Sequence, residues 1–387
     1  MSEFMFSNLR PDFNDMIKVL DGTAKFPKVY FVEIVIDEEI KKEIIEKYFG
    51  LKNISKPEIL ISSKESAENI EFTIDVKETQ NYYQQLIDFY YRLGYSVIPD
   101  LDYLFNLNIL NTVKREGKDP SGQFAGKERH WAQEGKGLIQ NWDDFEKFPW
   151  EKVIELGHLH LKDLEFIAKI LPQGMKIAVM GSILEVIMEW VMGYEVVLFN
   201  VYDNPELIGS VFNKLGKIMY DFYSEAIELK GVGVLWHGDD IGYKTGTILS
   251  PQHLRRWVFP WFKKYSDLAH SHKKPSWLHS CGNKKEVMND IIYDIKFDAI
   301  HAFEDSTYPV VEYKKIYGKD ISLLGGVDID KLARWQEGEL RSYMKNVLEV
   351  CIKGGKYAFG SGNSIPRYIP IKNYIAMMEI GNDFNNK

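Results

Sequence analysis

Eight short apolar runs, most of them separated by stretches of helical period, constrain this 387-residue chain more than any other feature. They fall at residues 28–36, 94–98, 175–180, 233–237, 275–279, 297–303, 321–325 and 357–360. Their apolar character is nearly continuous, without polar alternation, which is the signature of strands covered on both faces. Amphipathic segments lie between them, at 37–49, 184–191, 205–230, 251–272, 284–293, 310–317 and 338–353. Ser250 before Pro251 and Asn204 before Pro205 read as N-caps followed by proline in the first turn. Strands alternating with helices imply a parallel sheet with right-handed crossovers, and eight of them predict closure into a (β/α)8 TIM barrel. No glycine-rich dinucleotide fingerprint follows the first run, which disfavours a doubly wound open sheet.

Two stretches exceed a minimal barrel: an N-terminal excursion at 50–80, and a long loop after the second strand, 101–150, with little helical period. A loop in the latter place is expected to sit over the C-terminal rim of the strands and to help wall a pocket, with Trp131, Trp142, Phe145 and Trp150 packing there. With no linker or internal repeat, residues 1–387 read as one domain. A net charge of -8 excludes a general nucleic-acid binder, which needs a basic face, and gives no attraction to an anionic membrane. Only Cys281 and Cys351 are present, so disulfides do not hold the fold, and Cys351 reads as a small core residue of a helix. The first ten residues lack the apolar core of a secretion signal, and no window approaches the roughly 20 apolar residues that span a bilayer. These features predict a soluble cytoplasmic protein.

In a parallel barrel the C-terminal ends of the strands converge on one face. Those ends carry Glu33, Asp100, Ser182, the group His237, Asp239 and Asp240, then His279, Cys281 and Asn283. Glu304 and Asp305 follow the sixth run, Asp328 the seventh, and Ser361, Asn363 and Ser364 the eighth. Such a rim, dense in acids, amides and soft ligands, has no role in packing a core and points to an enzyme.

His279 and Cys281 are its sharpest feature. Two residues leaving a strand at i and i+2 can face the same side, and zinc accepts imidazole together with thiolate. A third donor could come from Asp239 or Asp240, from Glu304, or from Asn363. A strand-end histidine bonded locally beside a buried cysteine, or a Cys-His nucleophile, are the other readings. His237, Asp239 and Asp240 are candidates for metal binding or general acid-base work, against helix capping and loop hydrogen bonding. His301 is a weaker candidate on the sixth run, while His158, His160, His253, His270 and His272 read as surface or packing residues.

The run GDDIGYKTGTILSPQHLRRWVFPWFKKYSDLAHSHKKPSWLHSCGN (238–283) resembles the uroporphyrinogen decarboxylase superfamily, and within it the cobalamin-dependent methyltransferase branch. The resemblance continues through HAFEDSTYPVVEYKKIYG (301–318), LLGGVDIDKL (323–332) and GSGNSIPRYIPIKNYIAMM (360–378), and reaches back to 193–204 and 134–150. It implies a TIM barrel, as the eight runs do. It also implies zinc on the His279/Cys281 pair, with Glu304 as first choice for the acidic third ligand and Asp239 as second. The decarboxylases of the family carry an arginine-rich segment at the first strand, whereas here that strand reads KFPKVYFVEIVID (25–37), without arginine. Thiol-methylating members place a further cysteine after the last strand, where this chain has Asn363.

The resemblance therefore implies methyl transfer from a small, methoxylated aromatic substrate to the cobalt of a corrinoid (cob(I)alamin) carried by a partner protein, and it leaves room for a homodimer. Asp239, Asp240 and His237 are expected to serve catalysis, and Asn363, Ser361 and Asp328 to contact the cofactor. No corrinoid signature of the DxHxxG kind occurs in the chain itself. The alternative on the same fold is a decarboxylase that needs no cofactor.

Overall fold

The computed structural model describes residues 4–25, 27–57, 59–61, 72–100, 114–118, 128–132 and 137–386. Two small antiparallel pairs come first in strand numbering, β1 (Leu60–Ile61) with β2 (Phe72–Thr73), and, after β3 (Val97–Asp100), β4 (Lys114–Lys118) with β5 (Glu128–Ala132). The remaining strands are β6 (Lys176–Gly181), β7 (Val232–Gly238), β8 (Ser276–His279), β9 (Ala299–His301), β10 (Ser322–Leu324) and β11 (Tyr357–Ala358). With β3 they form a seven-stranded parallel sheet, in the order β3-β6-β7-β8-β9-β10-β11, curled in a TIM-barrel-like α/β fold. Sequential strands pairing in parallel require the helical crossovers that the sequence pattern predicted.

Seven of the eight expected strands are thus in the sheet. The first run, 28–36, meets β11 and its continuation through single parallel bridges at Phe31–Phe359 and Ile36–Ile365. Its ladder is interrupted because the Glu33 carboxylate, not a backbone carbonyl, accepts the Ser361 N–H at 2.9 Å. Among the described residues no ladder joins this run to β3.

Period-two alternation splits the strand residues between two cores. Val234 and Trp236 of β7, Trp277 of β8, Ala299 of β9 and Leu324 of β10 point inward, where the helix Phe13–Leu20 packs Met16, Val19 and Leu20 against them. Leu235, Leu278, Ile300 and Leu323 face the outer helices in a larger cluster. Both expected N-caps are formed: the Ser250 side chain accepts from His253 N and that of Asn204 from Leu207 N. Cys351 is buried at the end of the helix Glu337–Cys351.

The excursion at 50–80 is shorter than expected, since the helix Val76–Leu93 begins inside it. The loop after the second run likewise ends early: the helix Trp142–Lys147 lies within it, with Trp142, Phe145 and Trp150 in edge-on ring contacts. Most of that loop, including the Trp131 side chain, lies outside the described residues. Among the described residues no helix is long and apolar enough to cross a membrane.

Candidate metal centre

Adjacent parallel strands in register carry the inward-facing series of β7, β8 and β9 to one level: Gly238 opposite His279, and His279 opposite His301. The chain leaving β7 then places Asp240 inward, and the chain leaving β8 does the same for Cys281. One donor atom each from Asp240, His279 and Cys281 lies within 4.8 Å of the others, the one such group found among the described residues. His279 Nε2 is 3.6 Å from Cys281 Sγ and 3.7 Å from Asp240 Oδ1. Tetrahedral zinc, with bonds of about 2.0–2.3 Å to nitrogen, oxygen and sulfur, sets its ligand atoms roughly 3.5 Å apart. The donor set and its spacing fit that ion, with a fourth position left for water or substrate.

The loops that hold these donors are tied together by backbone N–H groups that donate to side-chain and carbonyl oxygens. Asp240 Oδ1 accepts the Cys281 N–H at 2.7 Å, Asp239 N donates to His279 O at 3.0 Å, and Ile241 N to Ser280 Oγ at 3.1 Å. Gly282, at φ +74°, approaches Gly242 so closely that a Cβ would lie 2.4 Å from its carbonyl carbon. Lys284, buried, donates to the carbonyls of Ser280, Gly282 and Ala302 at 2.6, 3.1 and 3.3 Å. Burial lowers its pKa to about 8, and its bonds lace the loop after β8 to the start of the loop after β9.

Protonation states follow from burial. Desolvation and the nearby Lys284 cation lower His279 to about 3, so its imidazole is neutral and able to ligate. Burial, with the Asp240 carboxylate beside it, pushes the Cys281 thiol above the ordinary thiol range. The Asn363 amide opposes that shift by donating to Sγ at 3.2 Å. Partial burial raises Asp240 as well. Glu185, whose backbone N–H is bound by Asp239, is pushed well above the usual carboxyl range by burial and by the charges of Asp240, Glu189 and Asp239.

The other expected site residues are placed differently. His237 belongs to the outward series of β7, and Asp239 follows just past the end of that strand. The His237 ring lies among Phe262, Tyr265 and Tyr223 of the outer helices. The fully buried Asp239 carboxylate receives Ser182 Oγ at 2.5 Å, Ile183 N at 3.0 Å, Glu185 N at 2.9 Å and lies 2.7 Å from His237 Nε2. That arrangement anchors the start of the helix Leu184–Val186. Glu304 is outside the donor group, and its carboxylate accepts from Thr307 Oγ1 at 3.5 Å. Asp328 caps the helix Ile329–Arg334, accepting from Lys331 N at 3.0 Å, and also holds Asp305 N at 2.8 Å. Ser361 donates both its N–H and its hydroxyl to Glu33.

Of the side chains near the donor group, His301 is only a weaker candidate in the sequence and Glu185 is not singled out there at all. His301 Nδ1 lies 2.7 Å from His279 Nδ1, a contact that the strand register makes visible but a linear reading does not. Glu185 stands in a helix start that looks like ordinary capping. A cavity of about 550 Å³ lined by His270, Lys273 and Trp277 opens at the opposite, N-terminal ends of the strands. The site is therefore assigned by its chemistry, not by the size of a hollow.

Residues 137–384 match the family described as Uroporphyrinogen decarboxylase (URO-D). The chain has no match among curated protein sequences. Among solved structures it is similar to a methyltransferase from Methanosarcina mazei, with a TM-score of 0.63 and 14% identity over 98% of this chain and 99% of that one. At that identity the likeness speaks to the fold.

Proposed function

This chain belongs to the uroporphyrinogen decarboxylase family, and from that premise we propose that it is a zinc-dependent methyltransferase of the corrinoid-using branch. It acts as one barrel domain and moves a methyl group from a small methoxylated aromatic to the cobalt of a corrinoid on a separate protein. The observation that carries the reading is the convergence of Asp240, His279 and Cys281 at zinc spacing in the barrel mouth. A similar overall fold in a protein described as a methyltransferase agrees with it. So does a first strand without the arginines that a polycarboxylate substrate needs.

Asp240, His279 and Cys281 would hold the zinc, which when bound supplies Lewis acidity toward an ether oxygen. The protein's own groups do the rest. Neutral His279 offers a lone pair without first losing a proton. Asn363 steadies the sulfur by its amide N–H. Burial and the neighbouring carboxylates raise Glu185 and so favour its protonated form, which makes it the group to give a proton to a departing phenolate oxygen. Asp239 keeps Glu185 in place through its backbone N–H.

The test is methyl transfer to free cob(I)alamin from a panel of methoxyarenes, comparing wild type with Cys281→Ala. Transfer by the wild type and its loss in the variant are expected. Full activity in metal-stripped protein, or carbon dioxide release from a carboxylated substrate without corrinoid, would overturn the proposal.

A further inference from the structure

His301 is not among the donors, yet it touches the buried side of His279. The two Nδ1 atoms are 2.7 Å apart, so one proton lies between them. On the far side of the His301 ring, Nε2 is 3.2 Å from the carbonyl oxygen of Ser361. A carbonyl only accepts, so this contact places a proton on His301 Nε2. In a neutral imidazole the other nitrogen is then a bare acceptor. The proton shared by the two rings therefore belongs to His279 Nδ1, and the His279 lone pair is left on Nε2, the atom that faces Cys281 and Asp240.

The surroundings are built to hold this chain of contacts. The Ser361 carbonyl is held in place from both sides: Ser361 N and Oγ donate to Glu33, and Gly326 N donates to Ser361 O at 3.1 Å. Gly325 leaves the gap through which the contact runs. A Cβ there would sit 2.0 Å from Ser361 O and 3.0 Å from His301 Nε2. Directly after His301 the backbone turns at Ala302 with φ +84°, a region that alanine enters only with strain. His301 is fully buried and His279 nearly so, and burial disfavours a charge on either ring.

We propose that His301 is a positioning residue that fixes the tautomer of His279, with Ser361, held by Glu33, fixing His301 in turn. The inference concerns the protein without metal. Its consequence for zinc rests on the function proposed above. Outer partners of a ligating histidine commonly change metal affinity by about 10–100-fold when removed.

The experiment is long-range ¹H–¹⁵N correlation NMR on metal-free, ¹⁵N-histidine-labelled protein, with the His279 signals identified from His279→Gln. Wild type is expected to show His279 protonated at Nδ1 and bare at Nε2. In His301→Phe, which offers no acceptor, His279 reverts to a mixture of tautomers, and zinc affinity measured by chelator competition falls about 10–100-fold. His301→Asn retains an acceptor near the position of Nδ1 and recovers most of that loss. A wild-type His279 protonated at Nε2 overturns the inference without any variant. So does a folded His301→Phe whose His279 tautomer is unchanged. Should wild type bind no zinc while the tautomer is as stated, it is the proposed function that fails, not the role of His301.

Discussion

Asp239 and Asp240 are neighbours in sequence with different surroundings, and substituting each in turn separates a structural role from the proposed ligand role. Asp239 is fully buried and meets four donors: Ser182 Oγ, Ile183 N, Glu185 N and His237 Nε2. A hydrogen bond to a charged acceptor contributes about 1.5–3 kcal/mol, and a buried donor left unpaired costs about 1–3 kcal/mol. The four share one carboxylate, so their contributions do not add. Removing one partner of a buried charged network destabilises by about 3–5 kcal/mol, and Asp239→Ala is expected in that range. Asp240 is 39% exposed at its side chain, and its one backbone contact is to Cys281 N. Asp240→Ala should change stability by about 1 kcal/mol or less. Zinc affinity should fall by more than the roughly 100-fold that an outer-shell loss reaches. Urea unfolding of the metal-free proteins reads the first quantity and chelator competition the second. The reasoning is refuted if Asp240→Ala is the more destabilising change, or if it binds zinc like the wild type.

Three further outcomes follow from the same geometry. Because burial holds the Cys281 thiol protonated near neutrality, zinc binding must expel at least that proton, and affinity should rise about tenfold per unit between pH 6 and 8. Titration calorimetry in buffers of different ionisation heat would detect the proton, and a pH-independent affinity would count against a thiolate ligand. Burial raises Glu33 to about 8 from 4.5. The native state therefore binds this proton more tightly than the unfolded chain, and stability contributed by the neutral form fades as pH climbs from about 4.5 through 8. Glu33→Gln should remove that slope and be the more stable protein at pH 8 in urea unfolding; an unchanged slope would assign it elsewhere. Asn363→Cys puts a second thiol beside Cys281, so zinc should bind at least about tenfold tighter while methyl transfer drops as the open position closes. Unchanged affinity would show that position 363 does not reach the ion.

The barrel was legible because strands buried on both faces leave apolar runs with no alternation. Seven of those runs pair as expected, with ends displaced by up to three residues. The first run, 28–36, has the same composition but pairs only at Phe31 and Ile36, because a side chain, Glu33, takes a backbone donor that a ladder would use. Helices such as Trp150–Ile170 and Ile371–Phe384 went unread. The second buries residues around much of its circumference, from Ile371 through Asn373, Tyr374 and Ile375 to Met378, which blurs a one-sided stripe.

At the site, spacing alone brought His279 and Cys281 together. The choice among acids needed the pleat: Asp239 and Asp240 face opposite sides of the sheet, and one residue of register decides which is buried under helices. Glu304 follows a strand whose inward series ends at His301, and Ala302 at φ +84° redirects the chain before Glu304 is reached. No linear pattern announces that turn. The contact of His301 with His279 is likewise a fact of strand register, absent from any spacing along the chain.

The central claim is that one imidazole, one sulfur and one carboxylate bind the same ion. Zinc K-edge X-ray absorption of the metal-loaded protein tests it most directly. The account predicts a single sulfur at about 2.3 Å with the remaining ligands nitrogen or oxygen near 2.0–2.2 Å, and disappearance of the sulfur shell in Cys281→Ser. A zinc surrounded only by nitrogen and oxygen in the wild type, or a sulfur shell that survives that substitution, would contradict it.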